Sequence, residues 1–177
     1  QALRYNSRLK TESVRQDAEA FVKLDWAPIE VLEPRFAATF DEWKAAIDYA
    51  AKHQVDFIIT ANYRKILRSK GEKALMPYRE VIQWTEANSR VPLIGTNAFY
   101  VEDGGMLAVA TSPYEQGETA AAMALQLLRN GKSPRAIPVQ STQQFVIAMR
   151  ASSLQRRGIQ LPAVYEAAAR ASANYYP

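Results

Sequence analysis

Three sets of residues in this 177-residue chain have types and spacings that could do chemistry. The first is acid–base. His53 is the single histidine, and Glu102-Asp103 is a pair of adjacent carboxylates. His53 falls where a helix should end, and a protonated imidazole there serves the helix dipole more readily than a reaction. Glu102-Asp103 runs into Gly104-Gly105, a sequence that marks a tight turn as well as it marks paired acids. The second set is metal ligation. With one His and no Cys, no set of ligands closes. The third is recognition: Asn6, Ser7, Asn62, Tyr63, Thr96, Asn97, Phe99, Tyr100, Ser112 and Tyr114 are amides, hydroxyls and aromatic rings that follow apolar runs. Asn and Ser can grip a carboxylate or amine while rings cover an apolar body. For each of these residues the competing meaning is structural, with Asn97 making a turn and Phe99 packing beneath it. No G-x-S-x-G, phosphate loop or dinucleotide fingerprint occurs, so binding is expected, with no catalytic residue, no metal and no cofactor.

The elements that must position these residues are legible from periodicity and caps. Val91–Gly95 and Gly105–Ala110 are short apolar runs bounded by turn residues and read as interior strands, joined by a polar and aromatic loop. Val55–Thr60 reads as a central strand from its β-branched and aromatic content. Ser112-Pro113-Tyr114-Glu115 combines an N-cap hydroxyl, a proline at the first helical position and a capping-box carboxylate, and Gly131 ends the helix it opens. On that helix Tyr114, Gly117, Ala121, Ala124, Leu125 and Leu128 form one apolar stripe. Thr39-Phe40-Asp41-Glu42 is a second capping box, opening a helix to about His53 with Phe40, Trp43, Ala46, Ile47 and Ala50 facing inward. Further strands are expected at Ala2–Tyr5, Pro28–Leu32, Ile137–Val139 and Phe145–Ala148. Further helices are expected at Leu9–Val22, Tyr78–Ala87, Ala151–Arg157 and Pro162–Ala171. Alternation of strand and helix predicts an α/β fold: a mostly parallel, Rossmann-like (flavodoxin-like) sheet with helices on both faces.

Composition narrows the functional classes. Hydrophobic residues at 48% and charged residues at 23% are ordinary for a folded domain and argue against disorder. Even Ala120–Leu128 is too short to span a bilayer and is interrupted by Gln126. The net charge of +4 raises nucleic acid as a partner, but basic residues are dispersed among acids and no nucleic-acid motif accompanies them. The densest group, Arg64, Lys65, Arg68, Lys70 and Lys73, reads as a solvated loop. The absence of cysteine leaves the redox compartment open. Ala2 lies almost inside a strand, which predicts that a folded unit continues upstream.

The succession of Tyr5-Asn6-Ser7, Thr39–Lys44, Glu86–Pro92, Gly95, Val101–Gly105, Tyr114–Gly117 and Gly131–Pro134, ending in Gly158–Pro162, resembles the ABC transporter substrate-binding proteins of the type I periplasmic-binding fold, in the branch of tryptophan and tyrosine binders. The resemblance covers most of the chain. It implies the C-terminal lobe of a two-lobed protein: residues 1–112 as an α/β domain, 113–140 as a crossover helix and strand that pack on an N-terminal lobe, and 141–177 as a closing strand and helices. It also implies a periplasmic or extracytoplasmic location and a small organic solute, an amino acid or aromatic acid, held between lobes. The partner is then an ABC permease, or a signalling protein where the fold serves as a sensor. The exposed 113–130 helix is expected to make a homodimer. The alternative is a regulatory flavodoxin-like module that contacts protein partners and binds no small ligand.

Overall fold

A computed structural model describes residues 2–7 and 12–177. In chain order the elements are β1 (Ala2–Ser7), α1 (Glu12–Val22), β2 (Val31–Ala37), α2 (Phe40–Lys52), β3 (Phe57–Thr60), α3 (Tyr78–Asn88), β4 (Leu93–Gly95), α4 (Phe99–Glu102), β5 (Leu107–Thr111), α5 (Pro113–Leu128), β6 (Phe145–Arg150), α6 (Ala151–Arg156), α7 (Ala163–Ala171) and β7 (Tyr175–Tyr176). They form a sheet in the order β2-β1-β3-β4-β5-β6-β7, parallel except for the β5–β6 pair. This is the α/β, mostly parallel architecture that the alternation predicts.

Strand periodicity divides the apolar residues between the two faces. Leu93, Ala108 and Ala148 join one cluster with Trp43, Ile47, Val81, Ile82 and Tyr100, carried by α2, α3 and α4. Their neighbours Ile94, Leu107, Ile147 and Met149 join a second with Leu154 and Ala169 of α6 and α7. Successive side chains on a strand point to opposite faces, so each interior strand feeds both layers. Helix α2 forms where its cap directs it: Thr39 Oγ1 accepts from Glu42 N (3.3 Å), and the Glu42 carboxylate accepts from Thr39 N and Ala38 N. Its buried stripe is Trp43, Ala46, Ile47 and Ala50. Trp43 Nε1 donates to Thr85 Oγ1 at 2.8 Å, locking α2 to α3.

Three expectations need correction. The second strand runs Val31–Ala37 rather than Pro28–Leu32. It contains Pro34, which is tolerated because β2 is an edge of the sheet. No strand forms at Ile137–Val139; a 3₁₀ turn spans Pro134–Ala136, and Val139 is exposed because no neighbouring strand reaches it. The loop between β4 and β5 contains a helical turn, α4. The stripe on α5 is exposed, as expected of the 113–130 helix: no residue from Pro113 to Phe145 is buried, and Tyr114 and Leu128 are 79% and 83% exposed. The first residues of the predicted Leu9–Val22 helix lie outside the described residues.

Helix α5 also uses its start differently from α2. Ser112 Oγ accepts from Glu115 N at 3.3 Å, as expected of an N-cap. The Glu115 carboxylate, however, accepts from Gln143 N (2.9 Å) and Gln144 N (2.6 Å) instead of closing the box. Ser112 N is already committed to Gln144 O at 3.1 Å, so the carboxylate is free to hold the returning chain.

Candidate functional site at the carboxyl ends of the strands

In an open α/β sheet, ligands bind in the crevice beyond the carboxyl ends of the strands. Here the parallel strands β1, β3, β4 and β5 end at Ser7, Thr60, Gly95 and Thr111. Asn6 and Ser7 close β1, and their side chains lie outside what is described. Asn62 follows β3 and is exposed. Thr96 and Asn97 follow β4 and are half-buried; Thr96 N donates to Thr60 O at 2.9 Å, which ties the two loops together. Asn97 Nδ2 reaches Ala61 O and Thr96 Oγ1, each at 3.4 Å. Those long contacts leave the amide weakly held and able to exchange them for a better partner. Asn62, Thr96 and Asn97 thus share one edge of the sheet.

The aromatic residues of the same loops go elsewhere. Tyr63 and Tyr100 are each 1% exposed and belong to the core. Their rings meet edge to face at 6.0 Å between centroids. The Tyr63 hydroxyl donates to the Asp103 carboxylate, and the Tyr100 hydroxyl donates to Glu86 Oε1 at 3.0 Å. The expectation that both rings face a ligand gives way to packing, because Gly95 and Gly105 open a slot into which the Tyr100 ring fits. A Cβ on Gly95 would stand 2.6 Å from Tyr100 Cβ. Burial pushes both hydroxyls well above the ordinary tyrosine range, and the neighbouring Asp103 and Glu86 carboxylates add to it. Both stay protonated and act as donors. Ser112 is spent as the α5 cap, and Tyr114 stands exposed in the first turn of that helix, just after the end of β5.

Asp103 and Glu102 are not paired acids. Glu102 is exposed, while Asp103 is 3% exposed and receives Arg64 through two parallel bonds, Nε to Oδ2 and Nη2 to Oδ1, both 2.9 Å. Gly104 at φ +115° makes the turn that follows. Arg64 is held further between two rings, 4.0 Å above Phe99 and 4.6 Å from Tyr78. Phe99 is half-buried, its exposed part carrying that guanidinium. Nothing in the spacing points to Arg64, since its carboxylate lies 39 residues away. Its neighbours Lys65, Arg68, Lys70 and Lys73 are exposed, as a solvated loop requires. His53 caps the end of α2, its Nδ1 2.9 Å from Tyr49 O. Among the described residues no group of His, Asp and Glu could hold a metal ion, and no helix is long and apolar enough to cross a membrane.

The fold has counterparts among solved structures. A conserved domain protein from Vibrio cholerae matches with a TM-score of 0.64 at 17% identity, over 94% of this chain and 53% of that one. An ABC domain from Streptococcus pneumonia in complex with L-Trp matches at 0.63 and 16%, over 95% and 55%. A ligand-free, open substrate-binding protein with adhesive properties from Clostridium difficile matches at 0.59 and 17%, over 92% and 50%. At these identities the likeness establishes the fold, and the chain spans about half the length of each structure. No curated protein matches the sequence. Residues 73–172, more than half of the chain, match the family model described as ABC transporter substrate binding protein, and the chain therefore belongs to that family.

Proposed function

We propose that this chain is the C-terminal lobe of a non-enzymatic solute-binding protein, and that Asn62, Thr96 and Asn97 line its side of an interlobe cleft, with Asn6 and Ser7 at the adjoining strand end. The observation that carries the reading is the convergence of these residues beyond the carboxyl ends of parallel strands in a family of substrate-binding proteins. A buried layer supports them from below: the protonated Tyr63 and Tyr100 hydroxyls and the Arg64–Asp103 pair fix the loops that carry the amides. Rigid support of this kind is what a preformed small-molecule site needs. The solute is a small organic molecule, with an amino acid or aromatic acid suited to amide and ring contacts. The L-Trp held by the Streptococcus pneumonia structure is in keeping with that class. Delivery to an ABC permease in the periplasm or an extracytoplasmic space follows from the family; a sensor of the same fold would bind in the same way.

Helix α5 and the segment to about residue 140 form the crossover in this reading, and the apolar residues Leu125 and Leu128 are the face that a second lobe or a second copy of the chain covers. The test is a thermal-shift screen of the full-length protein against amino acids and small aromatic acids, because a specific ligand raises the melting temperature by mass action. With a ligand in hand, Asn97→Ala weakens binding by about ten-fold or more, the loss expected for a bond to a charged group. Unchanged affinity measured by calorimetry places the cleft on other residues.

A further inference from the structure

On the α3 side of the sheet a cavity of about 580 Å³ opens between α3, the turn after α4 and α6. It lies away from the strand carboxyl ends. Arg150 N donates to Met106 O at 2.8 Å, just before β5 begins, so this wall stands at the amino end of that strand. Arg79 and Gln83 line it from one face of α3, Arg150 from the end of β6, and Ser153 and Arg156 from α6. Six charged residues border the cavity, and two of them are neutralised by partners outside its lining. Glu86 is paired with Arg157 at 3.2 Å, and Asp103 with Arg64 at 2.9 Å. Arg79, Arg150 and Arg156 make no ion pair among the described residues, and they face a single uncommitted carboxylate, Glu102. Arg150 spends Nη2 on Val101 O (2.8 Å) and Arg156 spends Nη2 on Ser153 Oγ (2.9 Å), which orients both guanidiniums without neutralising them.

Three unpaired guanidiniums, two of them oriented, with an amide and a hydroxyl in the same lining fit a compact body carrying two or more anionic oxygens. We propose that this cavity is a second binding site, distinct from the interlobe cleft, for a small multivalent oxyanion of phosphate or dicarboxylate type. An uncharged solute gains nothing from it. Because charge dominates, binding weakens as salt rises.

The experiment is a melting-temperature titration of the full-length protein with inorganic phosphate and, separately, succinate, at constant ionic strength held with sodium chloride. Wild type is expected to gain about 3 °C or more at ten-fold excess over the Kd. R79Q/R156Q is expected to lose the gain, while N97A keeps it, which separates this site from the cleft. A response to phosphate alone assigns the site to phosphate-bearing ligands, and a response to both assigns it to oxyanions generally. Phosphorus NMR of phosphate with wild-type protein gives a reading that does not depend on a variant folding: line broadening reversed by competing succinate or salt supports the site. No gain over the chloride control, absence of broadening, or a gain that survives R79Q/R156Q overturns it.

Discussion

The sheet body around Tyr63 and Tyr100 and the excursion from Pro113 to Gln144 begin from similar local signals and end in opposite states. Both α2 and α5 start with a hydroxyl followed three residues later by a glutamate. In the body the box closes and the helix buries Trp43, Ala46, Ile47 and Ala50. In the excursion the glutamate turns to the returning backbone, and no side chain of the helix is buried. Local signals therefore set where a helix begins, while its burial depends on what stands opposite it. A stripe at helical spacing is a statement about a face, and the face still needs a partner.

The difference should appear most strongly in truncations. Trp43→Ala removes a fully buried ring and its bond to Thr85, and is expected to cost about 3–5 kcal/mol in a denaturant titration. A cost under about 1 kcal/mol would erase the contrast. Gly105→Ala is expected to cost about 1–3 kcal/mol, because the added methyl would stand 2.2 Å from Tyr100 Cε1, in a ring pinned by its bond to Glu86. Relief of that cost in Gly105→Ala/Tyr100→Ala, measured as a coupling energy, would localise the clash.

Alkaline pH sharpens the same contrast. Above about pH 10 the tyrosines of the unfolded chain lose protons, whereas Tyr63 and Tyr100, raised by burial, keep theirs in the fold. The unfolded state then binds fewer protons, so stability is complete below that pH and falls as pH rises. Tyr63→Phe should flatten the decline, and a parallel decline would show that other groups drive it. The smallest effect is at the other extreme: Leu128→Ser on α5 is expected to change the stability of this 177-residue chain by less than about 0.5 kcal/mol. A larger loss in the full-length protein than in this chain would identify a covering lobe.

Much of the fold is legible in the sequence, because caps and interior strands are written locally. Thr39–Glu42 and Ser112–Pro113 mark helix starts that the structure keeps, Phe57–Thr60 and Leu93–Gly95 fall inside the expected strands, and Leu107–Thr111 overlaps the expected Gly105–Ala110. The misplaced β2 reflects Pro34, which disguises an edge strand, and the two-residue β7 is too short to show a period. The candidate site is harder to read. Asn62, Thr96 and Asn97 come together as their positions after strand ends suggest, but Tyr63 and Tyr100 follow the same strands and turn inward. Their direction is decided by the slot between Gly95 and Gly105 and by carboxylates on Asp103 and Glu86, all supplied by tertiary structure.

The excursion also has a topological consequence. Thr111 pairs directly with Phe145 in the antiparallel ladder, and the Glu115 carboxylate clamps Gln143 and Gln144 beside the exit, so the chain leaves the sheet and re-enters it at one point. Seen from the sheet, β5 and β6 are a β-hairpin with an oversized loop. Loop-closure entropy grows only slowly with loop length, so the ladder tolerates either a long insert or a short one. Replacing the residues between Thr111 and Phe145 with a tight turn of the Asn-Gly kind would leave the register Thr111↔Phe145 to Leu107↔Met149 in place. The body is thus a socket whose insert is exchangeable, a property that suits circular permutation and domain grafting at this seam.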